Sequence, residues 1–96
     1  MNTARVLNPS SCVRQSSDQV SCDLDREVVL LNIKNGDYYN FDDIASDIWR
    51  SLGEPMTIRT LVDRQLGKYS APTEQCEQDV LDFLEELLGD GLIEIV

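Results

Sequence analysis

The side chains able to do chemistry in this sequence are carboxylates and thiols, because it holds 18 Asp and Glu residues, three Cys and no His. Paired carboxylates act as acid and base where their environments differ within one cleft. Here the acids concentrate over residues 74–94, which lack Lys and Arg, with the pattern of a solvated helix face. Asp42-Asp43 is better explained by helix capping. Hydrolase, phosphate-loop and zinc-protease motifs are also missing, so we predict that the protein is not an enzyme.

The three cysteines form no metal or redox motif. Cys12, Cys22 and Cys76 have no CxxC spacing, and a zinc site would need a carboxylate as its fourth ligand because histidine is missing. We therefore predict reduced structural or surface thiols, no metal and no cofactor. Arg5 is followed by no apolar signal segment, and no run approaches the length of a membrane span, which together favour a cytoplasmic protein.

A predicted hairpin over Glu27–Phe41 is the element around which the rest of the chain is organised. Asn35-Gly36 separates two runs of β-forming residues, and this dipeptide is a strong hairpin signal because both residues tolerate positive φ. The run Val20–Leu24 alternates apolar and polar residues, which predicts a half-buried strand. A tight turn at Asp25-Arg26 then joins this strand to the hairpin.

Two registers are open to the hairpin, and they differ in which residues share a face. A two-residue loop sets Leu31 opposite Asn40. A three-residue loop sets Leu31 opposite Tyr39 and Val29 opposite Phe41. We expect the three-residue loop, because it places five large apolar side chains on one face and register follows burial.

Three amphipathic helices follow the hairpin. Asp42 and Thr57 are predicted to cap the first two helices, and the third is predicted to begin near Glu74 with Gly89 just past its end. Apolar side chains at helical spacing form a core-facing stripe on each helix. They are Ile44, Ala45, Ile48, Trp49 and Leu52 in the first, Ile58, Leu61, Val62 and Leu66 in the second, and Cys76, Val80, Phe83, Leu84, Leu87 and Leu88 in the third.

The order of these elements predicts an α+β fold of the winged helix-turn-helix kind, with a small three-stranded antiparallel sheet followed by three helices. Residues 1–19 are polar and Ser-rich, and we interpret them as a flexible or partly ordered N-terminal arm with a short strand near Cys12–Gln15. Residues 20–96 form the single domain, whose last residues, 91–95, return as a short tail packed on the core.

A winged helix suggests DNA binding, but the charge of this chain argues against it. Affinity for a duplex comes largely from Lys and Arg that neutralise phosphates, whereas the net charge here is −10. Protein interaction fits better. The strand Tyr38–Phe41 runs straight into a helix and has no Pro or Lys, so its edge is open to a strand from a partner. Coverage of that edge by a terminal arm or by a second copy of the chain is the alternative.

The order and spacing of motifs over about residues 20–95 resemble the PqqD-like family. Asn32 stands where that family usually has Asp, and Phe41-Asp42 stands for its usual Leu-Asn. The matching residues are Val28-Val29-Leu30-Leu31-Asn32, Asn35-Gly36-Asp37-Tyr38-Tyr39-Asn40-Phe41-Asp42, Ile48-Trp49 and Leu52-Gly53, with further matches at Thr57-Ile58, Leu66, Tyr69, Asp79-Val80, Phe83-Leu84, Leu87 and Gly91-Leu92-Ile93.

This resemblance implies a recognition element for ribosomally made, modified peptides, which holds the leader of a precursor peptide as an added strand against the third helix. Stand-alone members with the Tyr-Tyr strand look most like those of lasso-peptide pathways, whose partners are a leader peptidase and an ATP-dependent macrolactam cyclase. The pyrroloquinoline quinone pathway, with a radical SAM partner, is the alternative within the family.

The same resemblance supplies the expected binding residues. Backbone pairing is expected at Tyr38, Tyr39, Asn40 and Phe41, and an apolar pocket at Cys76, Val80, Phe83 and Leu84. From charge alone, we add that Glu77 and the neighbouring acids would attract Lys or Arg in the leader.

We predict that the protein does not retard duplex DNA in a gel-shift assay at low salt. Electrostatic binding is strongest under that condition, so a retarded band there that weakens as salt is added would favour a DNA-binding regulator instead.

Overall fold

The computed structural model describes residues 6–17, 19–68 and 72–96, so residues 1–5 and 18 of the predicted arm, and also Tyr69, lie outside the described residues. The predicted α+β class, three antiparallel strands followed by three helices, is confirmed, and a second small sheet is added to it. The likeness to a winged helix-turn-helix stays a prediction. The strands are β1 (Cys12–Gln15), β2 (Gln19–Leu24), β3 (Glu27–Asn32), β4 (Tyr38–Phe41), β5 (Met56–Thr57) and β6 (Ile93–Ile95), and the helices are α1 (Asp43–Ser51), α2 (Ile58–Lys68) and α3 (Thr73–Gly89).

One sheet joins three distant parts of the chain in the order β5-β1-β6. The short strand predicted near Cys12–Gln15 is confirmed, and it is central, with Val13 fully buried between Met56 and Ile95. The backbone N–H of Leu7 donates to a carboxylate oxygen of Glu85 on α3 at 2.8 Å. Residues before β2 therefore contribute to the hydrophobic core.

The other sheet has the order β2-β3-β4 and carries the hairpin. Its register pairs Leu30 with Tyr39 and Leu31 with Tyr38, so the predicted pairing of Leu31 with Tyr39 is wrong by one residue. A shift of one residue reverses the faces. Val28 and Leu30, not Val29 and Leu31, point with Tyr39 and Phe41 toward the helices.

Asn32 explains the difference, because its buried side chain organises a longer loop than the sequence suggested. Its Oδ1 accepts hydrogen bonds from the backbone N–H of Lys34 at 2.9 Å, and its Nδ2 donates to the carbonyl of Asp90 at 3.1 Å. Its backbone N–H donates to the carbonyl of Asp37 at 2.9 Å. The loop therefore spans residues 33–37, with Gly36 at a φ of 77°.

The strand predicted over Val20–Leu24 is present, but the prediction that it is half-buried is wrong. Val20 and Leu24 are 56% and 58% exposed, and the other residues from 21 to 23 are exposed as well. β2 pairs only with β3 among the described residues, at the side of the sheet away from β4. Its contact with α1 is an exposed ion pair between Asp23 and Arg50 at 3.0 Å, which buries no apolar side chain of β2.

Both predicted N-caps are confirmed. The backbone N–H of Ala45 donates to the carboxylate of Asp42 at 2.9 Å, and the N–H of Thr60 donates to the hydroxyl of Thr57 at 3.3 Å. The prediction for the end of α3 is wrong. Gly89 is still helical, and the left-handed residue is Gly91, with a φ of 75°.

A buried hydroxyl ties the hairpin to α1. Ser46 is fully buried; its Oγ accepts from the N–H of Val28 at 2.8 Å and donates to the carbonyl of Phe41 at 3.2 Å. The hydroxyl thus lies between the facing backbone groups of β3 and β4 at the start of α1.

We predict that Ser46→Ala lowers the free energy of unfolding by about 1–3 kcal/mol, because it leaves the buried N–H of Val28 without an acceptor. Urea denaturation followed by circular dichroism measures the loss. Ser51→Ala is the matched control, since that hydroxyl bonds only to Asp47 within α1, and we expect it to change stability by less than about 0.5 kcal/mol. Equal effects of the two substitutions would contradict the bridging role.

Candidate functional site

The outer edge of β4 is open among the described residues, because β4 pairs only with β3. In an antiparallel pair of strands, opposite residues that are hydrogen-bonded alternate with opposite residues that are not. The bond from the N–H of Asn32 to the carbonyl of Asp37 shows which pairs are hydrogen-bonded here. Tyr39, opposite Leu30, therefore directs its backbone groups toward β3. Tyr38 and Asn40 direct their N–H and C=O groups away from β3, toward the open edge.

A cleft of about 280 Å³ begins where β4 ends. Its lining comes from all three helices and from the residue that caps α1, so the cleft adjoins the end of β4 at Asp42. The lining residues are Asp42, Ile44, Ala45 and Ile48 at α1, Gln65 on α2, and Cys76, Asp79, Val80 and Phe83 on α3.

Aromatic contacts hold β4 beside α3. The ring of Phe41 meets Phe83 edge-on at a centroid distance of 5.4 Å and lies 6.0 Å from the ring of Trp49. Phe41 is 8% exposed, whereas Phe83 is half-buried and also lines the cleft. This packing places the cleft wall formed by Phe83 against the last residue of β4.

The structure brings some of the predicted site residues together. Cys76, Val80 and Phe83 line the cleft, whereas Leu84 is fully buried in the core and is not among the lining residues. Glu77 is half-buried on α3 outside the lining.

The four residues of β4 alternate between its two faces. Tyr38, 70% exposed, and Asn40, also exposed, lie on the outer face, while Tyr39 is half-buried and Phe41 is buried on the inner face.

Sequence reasoning missed the α1 side of the cleft and Gln65. Ile44 was assigned to the core stripe of the first helix, yet it is 48% exposed and lines the cleft. Gln65 lies four residues after Leu61, at the helical spacing of the buried stripe of α2. A polar residue at such a position was the available signal.

The titratable groups of the site do not point to catalysis. Burial first, and then the nearby carboxylate of Asp79, raises the pKa of the Cys76 thiol, which favours the unreactive protonated form. Partial burial, followed by the charges of Asp90 and Asp37, raises the pKa of the Tyr39 phenol. Within the described ranges, no group of three His, Cys, Asp or Glu side chains is placed to hold a metal ion.

Comparison with known protein families identifies the family to which this chain belongs. Residues 27–93 match the model of coenzyme PQQ synthesis protein D, PqqD. The chain belongs to the PqqD family. The resemblance noted in the sequence is thereby confirmed, and the matched segment runs from β3 through the open strand and all three helices to the start of β6.

Two solved structures are similar to the chain over most of its length. One, described as TbiB1 in complex with the TbiA(beta) leader peptide, is 36% identical, covers 84% of this chain and 94% of its own, and superposes with a TM-score of 0.80. The other, a lasso peptide synthetase B1 complexed with the leader peptide, is 20% identical, covers 85% and 96%, and has a TM-score of 0.76. At that lower identity it supports the fold alone.

The search among curated proteins gave no match. None of the helices in the described part of the chain combines the length and apolar character needed to span a membrane.

We predict that Cys76 reacts more slowly with iodoacetamide at pH 8 than Cys22 does. Cys22 is exposed, whereas the half-buried Cys76 has a raised pKa and so less thiolate at that pH. Mass spectrometry of the modified peptides gives the two rates, and the urea-unfolded protein is the control in which the difference should disappear. Equal rates in the folded protein would mean that the cleft does not shield the thiol.

Proposed function

We propose that this protein captures the leader of a ribosomally made precursor peptide by adding it as an antiparallel strand to the open edge of β4. The observation that supports this most directly is the row of free backbone groups at Tyr38 and Asn40, which lies beside a cleft. The solved relative that is 36% identical is a complex with a leader peptide, which supports the same class of ligand for this chain.

Strand addition suits the geometry of the edge. Tyr38 and Asn40 each offer one N–H donor and one C=O acceptor, and main-chain bonds of this kind supply affinity without reading sequence. Alternate side chains of an added strand point to opposite faces. Those on the inner face would meet Cys76, Val80 and Phe83 on α3, which makes the helix the element that selects among peptides.

The charge of α3 favours a leader with basic residues. Between Thr73 and Gly89 the helix has acidic side chains and no Lys or Arg, and Glu77 is half-buried near the cleft-facing residues. An excess of negative charge on one surface attracts cationic ligands and speeds their association. We therefore assign Glu77 to recognition of Lys or Arg in the leader.

The protein binds without catalysis and presents the peptide to enzymes. In the lasso-peptide type of pathway these are a leader peptidase and an ATP-dependent macrolactam cyclase, and the solved relative that is 36% identical supports a leader peptide as the ligand. The family model is that of a coenzyme PQQ synthesis protein, which favours the pyrroloquinoline quinone pathway as the second candidate. Genes beside this one distinguish the two, since only the first pathway needs a peptidase with a cyclase.

We predict that Asn40→Pro weakens binding of a fluorescently labelled leader peptide, from the precursor gene next to this one, by about tenfold or more in an anisotropy titration. Proline removes a backbone donor from the open edge without removing a bond of the β3–β4 ladder. Tyr39 is unsuitable for this test, because its N–H faces β3.

Ser21→Pro is the matched control. Ser21 lies on β2 opposite Leu30, so its N–H also points away from β3, but toward the other edge of the same sheet. We expect it to leave leader affinity unchanged. Equal weakening by both prolines would indicate general damage to the sheet, and lack of binding by the unsubstituted protein at tens of micromolar would refute leader capture.

A further inference from the structure

Gln65 is a buried amide without a hydrogen-bond partner. Its side chain is 3% exposed, and neither its Nε2 nor its Oε1 is bonded within the described part of the chain. Buried polar atoms are nearly always paired, and each exception calls for an explanation. Gln65 also lines the cleft beside β4, so its side chain lies next to the space that a ligand group would occupy.

The surroundings of Gln65 explain why nothing in the cleft pairs with it. Six of the other lining residues have apolar or weakly polar side chains, and the two remaining ones, Asp42 and Asp79, are exposed carboxylates near the mouth. The buried part of the lining comprises Ile48 at 4%, Val80 at 3% and Gln65 itself. The cleft is thus an apolar pocket with one amide at its buried end.

We propose that Gln65 determines the specificity of this cleft, which takes one leader side chain with an apolar body and a neutral hydrogen-bonding tip. The inference depends on the proposed function, because the ligand is the leader. The apolar body packs between α1 and α3. The tip, a hydroxyl or an amide, donates to Oε1 or accepts from Nε2 of Gln65.

Two physical arguments select this class of side chain over others. An aliphatic or phenyl side chain would leave the buried amide unpaired, so it would bind more weakly than a side chain that forms a hydrogen bond with the amide. A charged tip would be buried beside a neutral amide with no counter-charge, which is also unfavourable. A neutral polar tip alone satisfies the amide and leaves the apolar walls in contact with apolar atoms.

The proposal is tested by replacing Gln65 with Met, which keeps the side-chain length and removes the amide. Thermal unfolding and leader anisotropy should change in opposite directions. We expect the melting temperature of the free protein to rise, because a buried unpaired amide is removed, and the dissociation constant to increase about tenfold. Gln78→Met on α3 is the matched control, since Gln78 is exposed and bonded to Asp82, and it should change neither quantity appreciably.

Substitutions in the leader locate the partner of Gln65 without touching the fold. Each polar residue of the leader is replaced in turn by an apolar residue of similar size: Tyr by Phe, Thr by Val, Ser by Ala, Asn by Leu and Gln by Met. One such change should weaken binding to the unsubstituted protein about tenfold and have little effect on the Q65M variant, because the bond is already lost there.

The outcomes separate this inference from the proposed function. Equal leader affinity of the unsubstituted protein and Q65M would overturn the specificity role. It would indicate that water supplies the hydrogen bonds of the Gln65 amide. Weaker binding by Q65M with no coupled leader position would assign Gln65 a purely structural effect, which also overturns it. Absence of leader binding by the unsubstituted protein would instead refute leader capture itself, and this inference with it.

Discussion

The buried amide of Asn32 is the contact on which the arrangement of the site depends. By accepting from the backbone after β3 and donating to the carbonyl of Asp90, it holds the end of the hairpin against the end of α3. The bond from its N–H to Asp37 then sets which backbone groups of β4 are used inside the sheet. A slip of one residue would turn Tyr39 and Phe41 outward and offer a different set of donors to a partner.

This alternation gives the residues of β4 two different roles. Its inward residues join the core, where Phe41 contacts Phe83 and Trp49, and its outward backbone groups remain available at Tyr38 and Asn40. Exposed main-chain groups are hydrated in the free protein and so cost little, whereas the amide of Gln65, buried and unpaired among the described residues, lowers stability. A peptide that pairs with the open edge of β4 and with the amide of Gln65 would form main-chain hydrogen bonds at the edge. It would also remove the cost in free energy of the unpaired amide.

Local signals in the sequence were sufficient for β1 to β4, for the three helices and for the family, but not for β5. The caps at Asp42 and Thr57 follow from interactions within a few residues. The errors arise where burial depends on contacts between distant parts of the chain. Val20 and Leu24 alternate like a half-buried strand, yet both side chains are exposed, and α1 meets β2 through the ion pair of Arg50 with Asp23. Ile44 fits the apolar stripe of α1 although its neighbourhood is an open cleft.

The amino-acid sequence by itself determined the order of β1 to β4 and of the three helices, the acidic α3 and membership of the PqqD family, because periodicity, capping and motif spacing are properties of neighbouring residues. The tertiary structure alone decided the hairpin register, the free groups of β4 and the pairing state of Gln65. These depend on which faces are covered and on which long-range partners, such as Asp90 for Asn32, come within hydrogen-bond distance. Hydrophobic patterns rank residues by preference for burial, but they do not say where a buried polar side chain finds, or lacks, its partner.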